Sequence, residues 1–327
     1  MTISVVIPVY NGERFVESCL DALSKQIQPP DEVIIVDDGS TDQSAALTES
    51  KPVRLIRQKH QGPAAARNHG IQAAVGELIL FTDIDCEPEP AWVLEMEKSL
   101  SLPEVVGVKG AYATKQTGIV PRLVQLEFEE RYDLLEKSPQ IDLIDTYSAG
   151  FHRENFQHVG GFNPALQKNE DVDLSYRLAN ARNKLVFNRN AIVYHHHPEN
   201  YWAYFISKMK KAYWRMIVYR AHPGKAIKDS YTPQLLKLQI LLALLALLAI
   251  FFVGQSPISI WIAMIMWGGL ILTTIPFLRR VVICYPRLVL FAVIFIIIRS
   301  YAFVVGVILG IVSLLFIKPE IHPLVVE

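Results

Sequence analysis

The stretch Val33-Ile34-Ile35-Val36-Asp37-Asp38-Gly39-Ser40 decides the fold, because an apolar run of strand length ends in two carboxylates and a turn. A second apolar run, at residues 78–82, ends in Asp83-Ile84-Asp85, and Asn169-Glu170-Asp171 precedes a predicted helix. In an open α/β sheet, ligands bind beyond the carboxyl ends of the strands. These acidic residues are therefore expected to converge on one site.

Strands and helices alternate along the first part of the chain, which predicts a doubly wound α/β sheet. After Asp85 the alternation becomes less regular, and this second half of the soluble part is expected to recognise the acceptor. The predicted strands are residues 3–8, 32–36, 53–57, 78–82 and 105–113, and the predicted helices are residues 13–25, 42–49, 63–74, 90–100, 120–137 and 171–180.

Charge is distributed unevenly along the 327 residues, although the chain has 32 basic and 32 acidic side chains. Residues 1–198 carry 19 Lys and Arg against 28 Asp and Glu, whereas residues 199–237 carry eight against two. Aromatic residues are interleaved with the cations of this second segment, which is typical of a membrane interface. An acidic body beside such a segment argues against a nucleic-acid partner.

Three apolar runs follow, and runs of about twenty residues span a bilayer. The third run is longer than one bilayer core needs, so the sequence predicts two or three transmembrane helices. Arg299 interrupts the third run and is expected to face a partner helix or to snorkel to the interface. The runs are residues 238–253, 258–278 and 288–317. The predicted domains are a catalytic domain at 1–198, a basic and aromatic neck at 199–234, a transmembrane region at 235–317 and a tail at 318–327.

Loop charges predict the orientation of these helices. The loop near 254–257 is uncharged, whereas Arg279, Arg280 and Arg287 follow the second run, so the neck and the second loop are both expected to face the cytosol. No basic leader precedes the first strand, which argues against a signal peptide. We expect a multi-pass protein of the inner (plasma) membrane with a cytoplasmic catalytic domain.

Asp83 and Asp85 are separated by one residue, so an extended backbone places both carboxylates on one side. Mg²⁺ and Mn²⁺ are usually held by one or two carboxylates together with substrate phosphate oxygens. By itself such a pair is more often a turn or a helix cap. In combination with the other motifs it predicts a site for a cation and a diphosphate.

Six motifs in this order resemble the family 2 glycosyltransferases. They are Pro8-Val9-Tyr10-Asn11, Val36 to Asp42, Gly62 to Asn68, Thr82 to Asp85, Val159 to Phe162 and Asn169 to Leu174. The resemblance covers roughly residues 1 to 200. It implies a GT-A fold, which is a Rossmann-like, nucleotide-binding mixed sheet with flanking helices, and an inverting enzyme with a nucleotide-sugar donor and a divalent metal. It also implies a membrane-anchored, bacterial-type enzyme of cell envelope polysaccharide synthesis.

The resemblance also implies roles for individual residues. The nucleoside of a UDP- or GDP-type donor would contact Pro8, Tyr10 and Asp38, with Arg67 nearby, and Asp83 would approach the ribose or the metal. Asp85 would be the main metal ligand, and Asp171 the catalytic base with Glu170 beside it. His195 aligns with a further metal ligand of some relatives, but the run His195-His196-His197 leaves the choice among the three open.

The chemistry supports these roles independently of the resemblance. A nucleoside diphosphate leaves readily once a cation neutralises the charge that develops on it. A carboxylate opposite the leaving group can accept the proton of the acceptor hydroxyl during one in-line displacement. Without the other motifs, Asn169-Glu170-Asp171 would be a capped helix start with acidic residues in its first turn.

The predicted function is transfer of a single sugar to a lipid or lipid-linked saccharide, because the Gln-x-x-Arg-Trp signature of processive synthases is absent downstream of Asp171. Two alternatives remain. A polyprenyl-phosphate glycosyltransferase would have an acceptor that is already an anion and would need no base. Separately, Lys208, Lys211 or Arg215 of the neck either docks on the membrane or also binds the phosphate of a lipid-linked acceptor. A nucleotide-sugar-binding membrane sensor would bind the donor without turnover.

Overall fold

The computed structural model describes residues 1–252, 256 and 258–316. The predicted tail at 318–327 and all of the loop at 254–257 except Ser256 lie outside the described residues, so the argument from the charge of that loop rests on sequence alone. The described residues form an eight-stranded mixed sheet with flanking helices, a helical neck and three long apolar helical segments.

The first half of the sheet alternates strands and helices, as predicted. In order these elements are β1 (Ile3–Val9), α1 (Glu13–Ser24), β2 (Glu32–Asp37), α2 (Ser44–Glu49), β3 (Arg54–Arg57), α3 (Pro63–Ala73) and β4 (Leu78–Thr82). Strand β1 pairs in parallel with β2 and β4, and β2 pairs in parallel with β3. Gly70 brings α3 onto β1, since a Cβ there would lie 2.3 Å from Cγ1 of Val6.

The second half turns the sheet into a mixed one. Its elements are β5 (Cys86–Pro88), α4 (Trp92–Leu100), β6 (Val105–Ala113), α5 (Ile119–Leu135), β7 (Ser148–His152), α6 (Glu154–Val159), α7 (Glu170–Asn180) and β8 (Lys184–His195). The strand order is β3-β2-β1-β4-β7-β6-β8-β5. Strand β7 is antiparallel to β4 and β6, and β5 is antiparallel to β8, which explains why the regular alternation of the first half breaks down.

Strand ends from both halves meet at one edge of the sheet. The register pairs Val9 at the end of β1 with Asp37 at the end of β2, and β4 ends beside them at Thr82. On the other side, His195 at the end of β8 pairs with Cys86 of β5, which places His195 next to Asp85. The motifs of the distant sequence segments are thereby collected at this edge.

The neck forms two helices, α8 (Tyr201–Ala221) and α9 (Pro223–Ile227), and α8 packs along the last long helix. Gly306 permits this close approach, because a Cβ there would lie 2.3 Å from the carbonyl oxygen of Met209. The rings of Tyr204 and Phe295 stack with their centroids 4.3 Å apart. The neck is thus packed directly against the apolar segments.

Three helical segments are long and apolar enough to cross a membrane, with mean hydropathies of 2.2, 2.0 and 2.7. They are Gln234–Phe251, Ile258–Cys284 and Pro286–Phe316, and they comprise α10 (Gln234–Phe251), α11 (Ile258–Leu272), α12 (Ile275–Cys284), a short 3-10 turn (Pro286–Leu288) and α13 (Val289–Phe316). Arg299 faces a partner helix, donating to Oε1 of Gln239 at 2.7 Å. Arg280 of the second segment contacts Asp133 of α5, so that end of the segment lies beside the sheet-bearing part.

Candidate active site

A cleft of about 670 Å³ opens at the edge where the strand ends meet. All nine residues selected from the sequence line it: Pro8, Tyr10, Asp38, Arg67, Asp83, Asp85, Glu170, Asp171 and His195. The neck helix α8 also contributes to its wall, through Tyr204, Ser207, Lys208 and Lys211. The cleft therefore lies between the sheet edge and the neck.

One end of the cleft is walled by Tyr10, His60 and Asp38. The rings of Tyr10 and His60 are in contact, with centroids 4.1 Å apart and planes tilted by 30°, and Tyr10 is 47% exposed. The carboxylate of Asp38 accepts hydrogen bonds from the backbone N–H groups of Gln61 and Gly62, each at 2.8 Å. Asp38 thus fixes the loop before α3. The exposed ring of Tyr10 is a surface on which a planar base can stack.

Arg67 is a buried clamp at the floor of the cleft. Its guanidinium donates to Oδ1 of Asp83 at 2.7 Å and to Oε1 of Glu170 at 2.5 Å. The Nε of Arg67 is buried and has no hydrogen-bond partner among the described residues. The clamp joins the end of β4 to the start of α7, so the Glu170 carboxylate is held in an ion pair with Arg67.

Asp85 and His195 face each other across the ends of β4 and β8, with Oδ2 and Nε2 3.3 Å apart. Among the described residues, no group of three or more His, Cys, Asp and Glu side chains forms a preassembled metal site. A carboxylate oxygen and an imidazole nitrogen are nevertheless both suitable ligands for Mn²⁺. The pair therefore fits a divalent cation that takes its remaining ligands from a diphosphate and water.

Asp171 is the second residue of α7 and faces the cleft. Its Oδ1 accepts from the backbone N–H of Val172 at 2.8 Å, and its Oδ2 lies 3.4 Å from the backbone nitrogen of Thr146. Burial, followed by the charges of Glu170 and Asp145, raises the pKa of Asp171 to about 7. A carboxylate with this pKa is suited to accept a proton near neutral pH.

A second buried ion pair lies close to Asp171. Nζ of Lys109 is 2.5 Å from Oδ2 of Asp145 and 2.7 Å from the hydroxyl of Tyr147. Despite burial, Lys109 holds the pKa of Asp145 below its usual range. Asp145 therefore stays ionised, and its charge contributes to the raised pKa of Asp171.

Lys208 and Lys211 bring cations from the neck into the cleft. Lys208 is bound to Glu127 of α5, with Nζ and Oε1 2.9 Å apart, whereas Lys211 has no ion pair within 4 Å among the described residues. Arg215, the third cation considered from the sequence, is not part of the cleft wall and donates instead to the hydroxyl of Tyr176 at 3.0 Å.

Several residues of this site were missed by sequence reasoning. Lys109 and Asp145 are 36 residues apart, and neither belongs to a motif with a recognisable spacing. The only signal was positional, since Asp145 and Tyr147 lie just before β7, which pairs with β4, the strand that Asp83 follows. Burial of a charged pair is a tertiary property that a single sequence does not display.

The fold and the cleft define a nucleotide-binding α/β enzyme with carboxylates at its sheet edge, and sequence comparison gives the family. Residues 4–160 match the model of the glycosyl transferase family 2, and this part of the chain belongs to that family. The predicted family is thereby confirmed. The match ends before Asp171, so it does not test the role of that residue.

Curated relatives are similar over parts of the chain. Glycosyltransferase AglE of Haloferax volcanii is 28% identical over 209 residues, which are 59% of this chain and 66% of AglE. Poly(ribitol-phosphate) beta-glucosyltransferase of Bacillus spizizenii is 33% identical over 162 residues, 45% of this chain and 23% of that protein. The chain spans less than two thirds of the length of either relative.

A solved structure resembles nearly the whole chain. The mannosyltransferase PcManGT from Pyrobaculum calidifontis, in complex with GDP-Man and Mn²⁺, superposes with a TM-score of 0.60 at 21% identity. The match covers 96% of this chain and 87% of that one. Similarity at this identity shows a shared fold, so the predicted GT-A fold is confirmed. Because the match covers 96% of the chain, it extends beyond the sheet.

Proposed function

We propose that this protein is an inverting, metal-dependent glycosyltransferase. It transfers one sugar from a UDP- or GDP-type nucleotide sugar to a hydroxyl group of a lipid or lipid-linked saccharide. The observation that carries the proposal is the position of Asp171, a carboxylate with a pKa of about 7 that faces the cleft. The same cleft is lined by Tyr10 and by the Asp85–His195 pair, which suit a nucleoside diphosphate and its metal. The family of residues 4–160 supports the class of reaction.

Asp171 accepts the proton of the attacking hydroxyl. As the acceptor oxygen forms its bond to the anomeric carbon, the bond from that carbon to the diphosphate oxygen breaks, and the configuration inverts. The proton passes to the Asp171 carboxylate, and the electron pair leaves with the diphosphate. Glu170 does not share this role, because Arg67 holds its carboxylate in an ion pair.

Asp85 and His195 are the residues that would hold the divalent metal. When bound, Mg²⁺ or Mn²⁺ supplies positive charge that stabilises the departing diphosphate. Arg67 keeps Asp83 oriented at the adjacent strand end through its bond to Oδ1, and no hydrogen bond from the described residues reaches Oδ2. That oxygen remains available for the donor ribose, which is one of the two roles expected for Asp83.

The neck favours an acceptor at the membrane surface. Helix α8 forms one wall of the cleft and packs along α13, which belongs to an apolar segment long enough to span a bilayer. An acceptor anchored in the membrane would therefore approach the cleft past the neck. The contact between Arg280 and Asp133 supports an orientation in which the loop after the second apolar run lies on the same side of the membrane as the catalytic part. The positive charges of that loop favour the cytosol as this side.

Lys211 lines the cleft and has no ion pair among the residues that the structure describes, which favours a second candidate, transfer to a polyprenyl phosphate. Such an acceptor is already an anion, so it needs no base, and a lysine beside Asp171 would stabilise it. An Asp171→Asn variant separates the two reactions. Retained turnover would support a phosphate acceptor, whereas lost turnover with unchanged donor affinity would support a hydroxyl acceptor.

The test of the proposal is donor hydrolysis by the full-length protein purified in detergent. A panel of UDP-, GDP- and dTDP-sugars is incubated with Mn²⁺, with Mg²⁺ or with EDTA. We expect metal-dependent nucleotide release from one donor, because glycosyltransferases leak donor to water in the absence of acceptor. Asp85→Ala should abolish the release, and Asp21→Ala, which removes an exposed carboxylate of α1, should not.

Absence of release from every donor would contradict this proposal if nucleotides still bind with measurable affinity. That result would favour the alternative of a nucleotide-sugar-binding membrane sensor.

A further inference from the structure

His195 belongs to a chain of hydrogen bonds that begins on helix α5. The side-chain amide nitrogen of Gln125 lies 2.9 Å from the carbonyl oxygen of Tyr112 and 2.8 Å from Oε1 of Glu129. A carbonyl oxygen and a carboxylate oxygen accept hydrogen bonds, so both require the NH₂ group of the amide. The orientation of the Gln125 amide is therefore fixed, and its oxygen must point the other way.

That oxygen lies 3.1 Å from Nε2 of His197. An amide oxygen can only accept, so Nε2 of His197 carries the hydrogen. The His197 ring is 3% exposed and lies between aromatic rings, stacked on Phe128 with centroids 5.5 Å apart. Because the ring donates its hydrogen through Nε2 to Gln125, its Nδ1 is the nitrogen that presents a lone pair.

Nδ1 of His197 lies 3.1 Å from Nδ1 of His195. Two lone pairs at this distance would repel each other, so the hydrogen between the rings belongs to His195. With that hydrogen on Nδ1, His195 presents a lone pair at Nε2, and Nε2 is 3.3 Å from Oδ2 of Asp85. A ring nitrogen and a carboxylate oxygen at this distance can bind the same divalent cation.

We propose that Gln125 and His197 are positioning residues that hold His195 in the tautomer whose Nε2 binds the divalent cation together with Asp85. This inference rests on the proposed function, because it assigns one histidine of three to the metal of that site. His197 uses both ring nitrogens within the protein, and His196 is exposed and packs beside Phe15. His195 is thus the histidine with a nitrogen available in the cleft.

Metal-binding histidines commonly donate their second N–H to a protein acceptor, and loss of that acceptor typically lowers metal affinity by about 10- to 100-fold. Here the acceptor is a second imidazole, that of His197, and its tautomer is set by its hydrogen bond to the side-chain amide of Gln125. Replacement of His197 should therefore weaken metal binding without removing a ligand.

The experiment measures Mn²⁺ affinity by electron paramagnetic resonance on the full-length protein in detergent, with excess UDP or GDP and without added sugar donor. We expect His197→Phe, which keeps an aromatic ring, to raise the Kd for Mn²⁺ about 10- to 100-fold. His197→Asn should restore much of the affinity, because its side-chain oxygen can accept from Nδ1 of His195. His196→Phe is the matched control and should bind Mn²⁺ like the unchanged protein.

A variant cycle distinguishes positioning from general damage. On a His195→Ala background, His197→Phe should cause no further loss of Mn²⁺ affinity, because the residue through which it acts is gone. An equal loss on both backgrounds, or unchanged affinity in His197→Phe, would overturn the inference. If His197→Phe fails to fold, Gln125→Met tests the same chain of bonds, and unchanged affinity there would also overturn it.

The outcome is independent of sugar transfer. Mn²⁺ binding that depends on His197 in a protein without transfer activity would support this inference and contradict the proposed function. A protein that binds no Mn²⁺ in the presence of either nucleotide would contradict the inference directly.

Discussion

The pH dependence of sugar transfer should report the protonation state of Asp171. A general base acts in its ionised form, and the pKa of Asp171 is raised from 3.8 to about 7, so the rate is expected to increase with pH through neutrality. A group with this pKa is ionised to about 9% at pH 6, about 50% at pH 7 and about 91% at pH 8. We therefore expect kcat/KM to rise about tenfold from pH 6 to pH 8. An Asp with an ordinary pKa would be fully ionised throughout and would give no change.

The assay follows nucleotide release by the purified protein between about pH 5.5 and 8.5 at constant ionic strength and saturating metal. The parameter kcat/KM is appropriate because it reports the ionisation of the free enzyme. Lys211→Met provides a second measurement, since the charge of Lys211 lowers the pKa of Asp171. Its removal should move the midpoint of the profile to higher pH.

Lys210→Met is the matched control, because Lys210 is the exposed neighbour of Lys211 on α8 and does not line the cleft. Its profile should coincide with that of the unchanged protein. A profile that is flat from pH 6 to pH 8 with normal donor affinity would refute the assignment of Asp171 as base. A midpoint that moves to lower pH in Lys211→Met would refute the electrostatic explanation, even if the profile of the unchanged protein has the expected slope.

Three further changes test other parts of the site. Asp171→Asn should lower kcat by about 10²- to 10⁴-fold with little change in donor affinity measured by calorimetry, and a smaller loss would argue against general-base catalysis. Arg67→Lys should weaken donor binding, because one ammonium group does not reproduce the two-carboxylate clamp, and unchanged binding would show that the clamp does not orient the site. Glu127→Gln should lower the free energy of unfolding by about 3–5 kcal/mol, since it leaves buried cations unpaired, whereas Glu130→Gln should change the thermal unfolding temperature little.

The sequence predicted the sheet edge well, because the relevant signals are local. Apolar runs followed by acidic residues mark strand ends, and the carboxyl ends of neighbouring strands meet by the geometry of the fold. Asp38, Asp83 and Asp85 were therefore placed at the cleft without knowledge of the register. The roles of these residues and the domain boundaries stay predictions, since geometry alone does not measure them.

The polar contacts that tune the site could not be predicted, because their partners are distant in the sequence. Arg67 and Glu170 are 103 residues apart, and no sequence pattern pairs them, so Glu170 was assigned to catalysis beside Asp171. The choice among the three histidines also depended on which nitrogen is already hydrogen-bonded, and this follows from the contacts that Gln125 and Phe128 of α5 make with His197. Such contacts are set by tertiary packing and leave no periodic pattern.

Helix α5 joins the proposed metal site to the membrane segments. Gln125 and Glu127 are two residues apart, so their side chains leave the helix about 200° apart and face different surroundings. Gln125 bonds to His197 beside the cleft, whereas Glu127 accepts from Lys208 of the neck and lies 3.7 Å from Arg299 of α13. A shift of α13 in the membrane would therefore act on the same helix that orients the metal-binding histidine. Activity in bilayers should consequently depend on Glu127 even though Glu127 touches neither donor nor metal in the proposed mechanism.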